Sequence, residues 1–103
     1  MALDENTGGA ISLTEAQGYI SEFQRRYPAE IKASFIGTNN INSILVQEDC
    51  IGIRIYNGYD VKEERLNQVL VGVDSQENDM NDGVILDRCA VCPPVCPSVS
   101  IMD

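Results

Sequence analysis

The chain contains no histidine and no tryptophan, and it has only two phenylalanines and four tyrosines among its 103 residues. Without histidine it lacks the side chain that most often serves as general base at neutral pH and most often binds metal ions. The scarcity of aromatic residues means that a core must be built mainly from aliphatic side chains. No nucleophile paired with a base and no phosphate-binding loop is present, so the sequence favours a protein without enzymatic activity.

Basic residues are also scarce. Seven Lys and Arg residues stand against sixteen Asp and Glu residues, which gives a net charge of −9. The basic residues are scattered, whereas binding to nucleic acid or to an anionic membrane surface requires them to be concentrated. The composition therefore predicts no nucleic-acid partner and no membrane partner. A small acidic protein of this kind is expected to bind another protein.

The sequence has no apolar run of about 20 residues, the length that a membrane-spanning helix requires. Its N-terminal residues lack the basic and apolar regions of a secretion signal. These two observations predict a cytoplasmic location. In the cytoplasm, the four cysteines would favour free thiols, a metal site or redox chemistry over a framework of structural disulfides.

Two stretches, residues 51–56 and 66–73, are typical of strands. In each of them β-branched residues alternate with others, which gives each strand one apolar face. The strands are expected to pair as an antiparallel hairpin that forms the centre of the domain. Gly52 and Gly72 lie on the faces opposite the β-branched rows, where a missing side chain would let a helix approach closely.

The pattern over residues 12–27 predicts an amphipathic helix, with Ser12 as its N-cap and Glu15 three residues later. Its apolar stripe is expected to pack on one face of the sheet. Further elements are predicted as a strand over residues 30–36, a helix over 38–47 and a strand over 84–87. The Asn57-Gly58 pair is a turn signal, and a charged loop over residues 59–65 is expected to follow it.

Together these elements predict an α+β protein. It is expected to be a small two-layer domain, with an antiparallel sheet of three to four strands, two helices and a Cys/Pro-rich C-terminal tail. Residues 1–9 are predicted to be a flexible leader, residues 10–88 the single domain and residues 89–103 the tail. Three of the four cysteines and three of the four prolines fall within residues 89–97.

An acidic loop follows the second predicted strand. Four of its residues carry the oxygen ligands that a hard cation such as calcium prefers, namely Asp74, Asn78, Asp79 and Asp82. The spacing does not match a calcium-binding EF-hand loop. If Asn78 is the first position of such a loop, Cys89 falls at the twelfth, where a carboxylate is required. The same residue types are also those of an ordinary hairpin connection, which we favour.

The cysteines form the second candidate site. Cys89, Cys92 and Cys96 follow the spacing C-x2-C-x3-C-P, which allows several sulfur atoms to converge. With Cys50 as a fourth ligand they would form a four-thiolate zinc or iron–sulfur site. The alternatives are a disulfide or redox role and no dedicated chemistry. We favour the last of these, because the Pro93-Pro94 pair restricts the turn that zinc ligands usually need.

Several short motifs carry a resemblance to known proteins. They run from Gly52-Ile-Arg-Ile-Tyr-Asn-Gly58, through Leu70-Val-Gly-Val-Asp74 and Asn78-Asp-Met-Asn-Asp-Gly83, to the closing Cys-Pro-Pro-x-Cys, and they lie between Ile11 and Cys96. In these motifs the chain resembles a group of small Bacteroidetes-type bacterial proteins of unknown function. The resemblance implies a bacterial source and a shared small domain, and it implies no activity, substrate or cofactor.

The prediction of function therefore depends on the predicted fold and on the residue types that the chain contains. A credible core without assembled catalytic groups predicts a small non-catalytic binding or interaction module. The alternative is a metal-binding or redox-active protein that uses the C-terminal cysteines. An enzyme would instead require a deep pocket lined by several polar side chains of the hairpin region, the candidates being Arg54, Tyr56, Asp60 and Asp74.

Overall fold

A computed structural model describes residues 2–102. The described chain contains two helices, α1 (Leu13–Arg26) and α2 (Thr38–Leu45). Its strands are β1 (Ala33–Phe35), β2 (Cys50–Asp60), β3 (Arg65–Asp74), β4 (Ile85–Leu86) and β5 (Ala90–Cys92). The predicted α+β class is confirmed.

The main sheet has the strand order β2-β3-β4, and all of its pairs are antiparallel. The long β2–β3 hairpin confirms the predicted centre of the domain, and β4 confirms the predicted third strand beside it. A bulge at the start of β2 lets Cys50 pair with Asp74 and Gly52 with Val73, so that Ile51 has no direct partner. The bulge sets the register of the rest of the hairpin.

The register separates the two β-branched rows. Ile53 pairs with Gly72, and Arg54 pairs with Val71. Because directly opposite residues share a face of the sheet, the isoleucines of β2 and the valines of β3 lie on opposite faces. Each face of the hairpin is therefore partly apolar, and each face needs a cover.

The predicted turn at Asn57-Gly58 is wrong, because both residues lie within β2. The chain reverses over residues 61–64 instead, where Asp60 accepts a hydrogen bond from the Glu63 backbone N–H (3.1 Å) and Glu64 takes a positive φ of 53°. The glycine at position 58 has another use. A Cβ there would collide with the Asn67 side chain on the opposite strand.

Helix α2 covers part of the face that carries the isoleucines. Its Ile44 is completely buried, and α2 contacts both β2 and β3. The close approach predicted at Gly72 is confirmed, since a Cβ there would lie 2.9 Å from Nε2 of Gln47, just beyond the end of α2. The close approach predicted at Gly52 is wrong, because a Cβ there would meet nothing within 4 Å. The remaining buried apolar residues are Leu70, Val71, Val73, Val91 and Cys92.

The tail is not a simple appendage. Its residues 90–92 form β5, which pairs antiparallel with β1 in a second, two-stranded sheet. The predicted strand over residues 30–36 thus exists only as the three residues of β1, and it joins the tail rather than the main sheet. Beyond β5 the chain returns towards α1, where Gln24 Nε2 donates to Met102 Sδ (3.0 Å).

Helix α1 begins as predicted, with the Ser12 hydroxyl accepting from the Glu15 backbone N–H (3.1 Å). The prediction that its apolar stripe packs on the sheet is wrong, because no residue of α1 is buried. Phe23 lines an open cleft with Leu66 of β3, and Ile20 lines another with Ile101 of the tail. The stripe therefore meets β3 and the tail across open clefts.

None of the helices in the part of the chain that the structure describes has the length and apolarity needed to cross a membrane.

Candidate functional site

A polar cluster on the main sheet joins Arg54 and Tyr56 of β2 to Asp79. The Arg54 Nη1 atom lies 2.5 Å from Asp79 Oδ1, and the Tyr56 hydroxyl donates to the other carboxylate oxygen. Asp79 forms a β-bridge with Val73 on the side of β3 that faces away from β2. The Arg54 side chain must therefore cross β3, and it lies over the valine face of the strand.

The cluster shifts the titration of all three groups. The hydrogen bond from Tyr56 and the ion pair with Arg54 hold the pKa of Asp79 below its usual value. The carboxylate in turn raises the pKa of the Tyr56 phenol and that of the Arg54 guanidinium. Each shift favours the state in which Asp79 is ionised and both of its partners keep their protons.

This arrangement is suited to holding a structure together rather than to proton transfer. Both carboxylate oxygens of Asp79 are occupied, and a lowered pKa makes the group a weaker base. The four polar residues that would have marked an enzyme pocket are not gathered in one place, because Arg54 lines one cleft and Asp60 lines a different one. The pairing with Asp79 was missed from the sequence, since it depends on where the hairpin after β3 returns.

The acidic loop folds as the hairpin connection. Asp74 Oδ1 accepts from the backbone N–H groups of Gln76 (2.9 Å) and Asn78 (3.0 Å), and Glu77 takes a positive φ of 67°. Of the four predicted cation ligands, Asp74 therefore binds backbone N–H groups and Asp79 binds Arg54. Among the described residues no group of three or more His, Cys, Asp or Glu side chains is placed to hold a metal ion.

The four cysteines, like the four predicted cation ligands, do not form one site. Cys92 and Cys96 form a disulfide within the tail, and Cys50 and Cys89 are free thiols. Cys50 lies in β2 near Gly72, and its thiol donates to the Gly52 carbonyl (3.3 Å). The predicted zinc or iron–sulfur arrangement is not assembled in this structure, since two of its four sulfur atoms are bonded to each other. The disulfide alternative is the one that the structure contains.

The most prominent feature of the surface is its area. The chain exposes 7723 Å², whereas a compact monomer of this mass would expose about 5,700 Å². The radius of gyration is 15.3 Å, compared with about 13 Å for a compact domain of this length. The excess of about 2,000 Å² exceeds the roughly 800 Å² that one partner contributes to a typical protein–protein interface.

Part of this surface is the apolar stripe that runs along α1 to Tyr27, the C-cap of the helix. Leu13 is 57% exposed, Tyr27 is 53% exposed and Phe23 is 37% exposed. These three residues are called the α1 surface below.

In comparisons with known proteins, no family model matches the chain, and neither does any curated protein or solved structure at a significant level. The functional conclusion therefore depends on the sequence and the geometry of the chain itself.

Proposed function

We propose that this protein is a small non-catalytic interaction module, and that its partner is another protein. The observation that supports the proposal is the excess of exposed surface, which is larger than one side of a typical interface. A protein that buries so few apolar side chains by itself gains stability when a partner covers the remainder.

The α1 surface is the part of the molecule that such a partner would cover. An amphipathic helix normally buries its apolar stripe, and α1 buries none of its residues. Glu22 on α1 forms ion pairs with Arg25 (2.5 Å) and Arg26 (2.8 Å). These charges lie away from the stripe, which leaves the apolar side chains as the contact area for the partner.

A face-specific pair of variants tests this proposal. In the first, Leu13→Glu and Phe23→Glu place two negative charges on the stripe. In the matched control, Thr14→Glu and Ser21→Glu add the same charge on the opposite side of α1. Since no residue of α1 is buried, both variants should keep the far-ultraviolet circular dichroism spectrum of the wild type.

The tagged proteins would be expressed in the source cells and purified, and the proteins that accompany them quantified by mass spectrometry. We expect one partner to accompany the wild type and the control in comparable amounts, and to be lost from the stripe variant. Equal recovery with all three proteins would show that α1 is not the contact surface. Recovery of no protein by any of them would remove the support for an interaction module.

A cytoplasmic location remains our prediction from the sequence. The Cys92–Cys96 disulfide weighs against it, because disulfides persist in oxidising compartments and are rare in the cytosol. The number of free thiols in protein isolated from the source cells distinguishes the cytoplasm from an oxidising compartment. Four free thiols would indicate the cytoplasm, and two would indicate an oxidising compartment.

A further inference from the structure

The outer edge of β2 is a second surface, separate from the α1 surface. β2 ends the main sheet, and among the strands of residues 2–102 β3 is its only neighbour. Between residues 51 and 59, the backbone groups of β2 in the described chain bond to no other segment besides β3. One side of this strand therefore has backbone donors and acceptors available.

The register identifies which groups point outward. Gly72 of β3 accepts from the Met80 N–H (2.8 Å) on the side away from β2. In an antiparallel ladder both backbone groups of a residue point to the same side, so Gly72 is not bonded to Ile53 opposite it. The N–H and C=O groups of Ile53 therefore point outward, and the alternation of the strand gives the same direction for Ile55.

This edge lacks most of the features that usually protect an open edge, such as charges, prolines and short length. Between residues 51 and 59 its only charged side chain is Arg54, which is paired with Asp79. The bulge lies at the beginning of the strand and leaves the following residues regular. Ile55, on the isoleucine face, is 56% exposed.

The N-terminal leader runs beside this edge and leaves a cleft of about 430 Å³, a volume within the usual range for ligand sites. All five consecutive residues 51–55 line the cleft together with Val73 of β3, so it extends from the edge of β2 onto the valine face of the sheet. The leader is held at one end by a hydrogen bond from the Ala2 N–H to Glu77 Oε2 (3.1 Å). It is shaped by a turn in which Asp4 N–H donates to the Thr7 hydroxyl (3.0 Å).

The two walls of the cleft differ in chemistry. The leader contributes Asp4 and Glu5, and β2 contributes isoleucines together with its free backbone groups. Glu5 forms no ion pair within the described residues, and one oxygen of Asp4 accepts from the Asn6 N–H (2.8 Å). The wall opposite the strand is therefore acidic, as is the chain as a whole.

We propose that this cleft binds an extended peptide segment of a partner protein, with basic and apolar residues in alternation, as a fourth strand of the main sheet beside β2. The backbone of the segment would bond to the outward groups of Ile53 and Ile55. Its basic side chains would face Asp4 and Glu5, and its apolar side chains would extend the isoleucine face.

A model peptide tests the pairing directly. The probe is acetyl-Lys-Val-Lys-Val-Lys-Val-amide, added to 15N-labelled protein at low ionic strength. Its binding should slow hydrogen exchange of the Ile53 and Ile55 amides, which point outward, and should change the Gly52 and Arg54 amides little, because these already bond to β3. The Glu-Val peptide of the same length, and a Lys-Val peptide N-methylated on alternate residues, should not produce this protection.

Variants separate the two walls. Asp4→Asn combined with Glu5→Gln should weaken binding on the order of tenfold at low salt, and less as salt is added. Asp87→Asn combined with Glu63→Gln removes the same charge from residues that do not line the cleft; it is the matched control and should bind like the wild type. Ile53→Pro should abolish the protection of the Ile55 amide by the peptide, because it removes an outward N–H and leaves the ladder to β3 intact. If this variant does not fold, the N-methylated peptide tests the same hydrogen bond.

Three results would overturn the proposal. The first is equal binding of the acidic peptide, and the second is binding that leaves hydrogen exchange of the Ile53 and Ile55 amides unchanged. The third is protection of these amides when the protein concentration alone is raised, which would identify a second copy of the chain as the occupant. The stripe variant of α1 should bind the peptide like the wild type, so that failure here and failure of the proposed α1 interface are distinguishable.

Discussion

Adding one methyl group at Gly72 should destabilise the protein, whereas adding the same group at Gly52 should not. A Cβ at position 72 would lie 2.9 Å from Gln47 Nε2, 3.1 Å from Met80 Sδ and 3.2 Å from Cys50 Sγ. At Gly52, in the neighbouring strand, a Cβ would meet nothing within 4 Å. The two glycines therefore provide a matched pair within one hairpin.

The cost at position 72 follows from what Gln47 holds. Its Nε2 donates to the Ile44 carbonyl (3.0 Å), and its Oε1 accepts from the Val84 N–H (2.8 Å). Moving this side chain away from a new methyl group would weaken bonds that contribute about 1 kcal/mol each. Overpacking of this kind costs about 1–3 kcal/mol. The Gly52→Ala change should stabilise the protein by about 0.4–1 kcal/mol, because it restricts the unfolded chain.

Urea unfolding followed by circular dichroism measures both free energies. With a slope of about 1–3 kcal/mol per molar urea, Gly72→Ala should lower the midpoint by about 1 M, and Gly52→Ala should leave it unchanged or raise it. In a Gln47→Ala background the cost of Gly72→Ala should fall, since the closest atom has been removed. A Gly72→Ala protein as stable as Gly52→Ala would refute the placement of Gln47 over β3.

Two further predictions concern the polar cluster and the tail. The pKa of Asp79 is lowered from 3.8 in the folded state, so its contribution to stability is present above that pH and is lost as the pH falls through the depressed folded value. In Tyr56→Phe, urea midpoints should therefore fall less steeply over about pH 4 to 2 than in the wild type, and identical slopes would contradict the cluster. In the tail, alkylation of unfolded protein should label two cysteines before reduction and four after it. Cys96→Ser should lower the free energy of unfolding by about 2 kcal/mol, as expected for opening so short a loop, and four labels without reduction would show that the disulfide is absent.

The sequence predicted the elements with local signals and missed those set by distant contacts. The alternation in β2 and β3 and the cap at Ser12 are local, and all three are confirmed. The Asn57-Gly58 pair is a common turn signal and predicts a reversal there, yet the register of the whole hairpin puts the reversal at residues 61–64. No local signal could show that Asp79 would meet Arg54 from 25 residues away in sequence.

The exposure of α1 follows from the register of one hairpin. Because the isoleucines and the valines lie on opposite faces, both faces of the β2–β3 pair must be covered. One is covered by α2 through Ile44 and by the adjoining Gln47. The other face carries the Arg54–Asp79 ion pair, beside the β-bridge between Asp79 and Val73. Both faces of the hairpin are therefore partly covered without α1, and the longest helix of the described chain buries none of its residues.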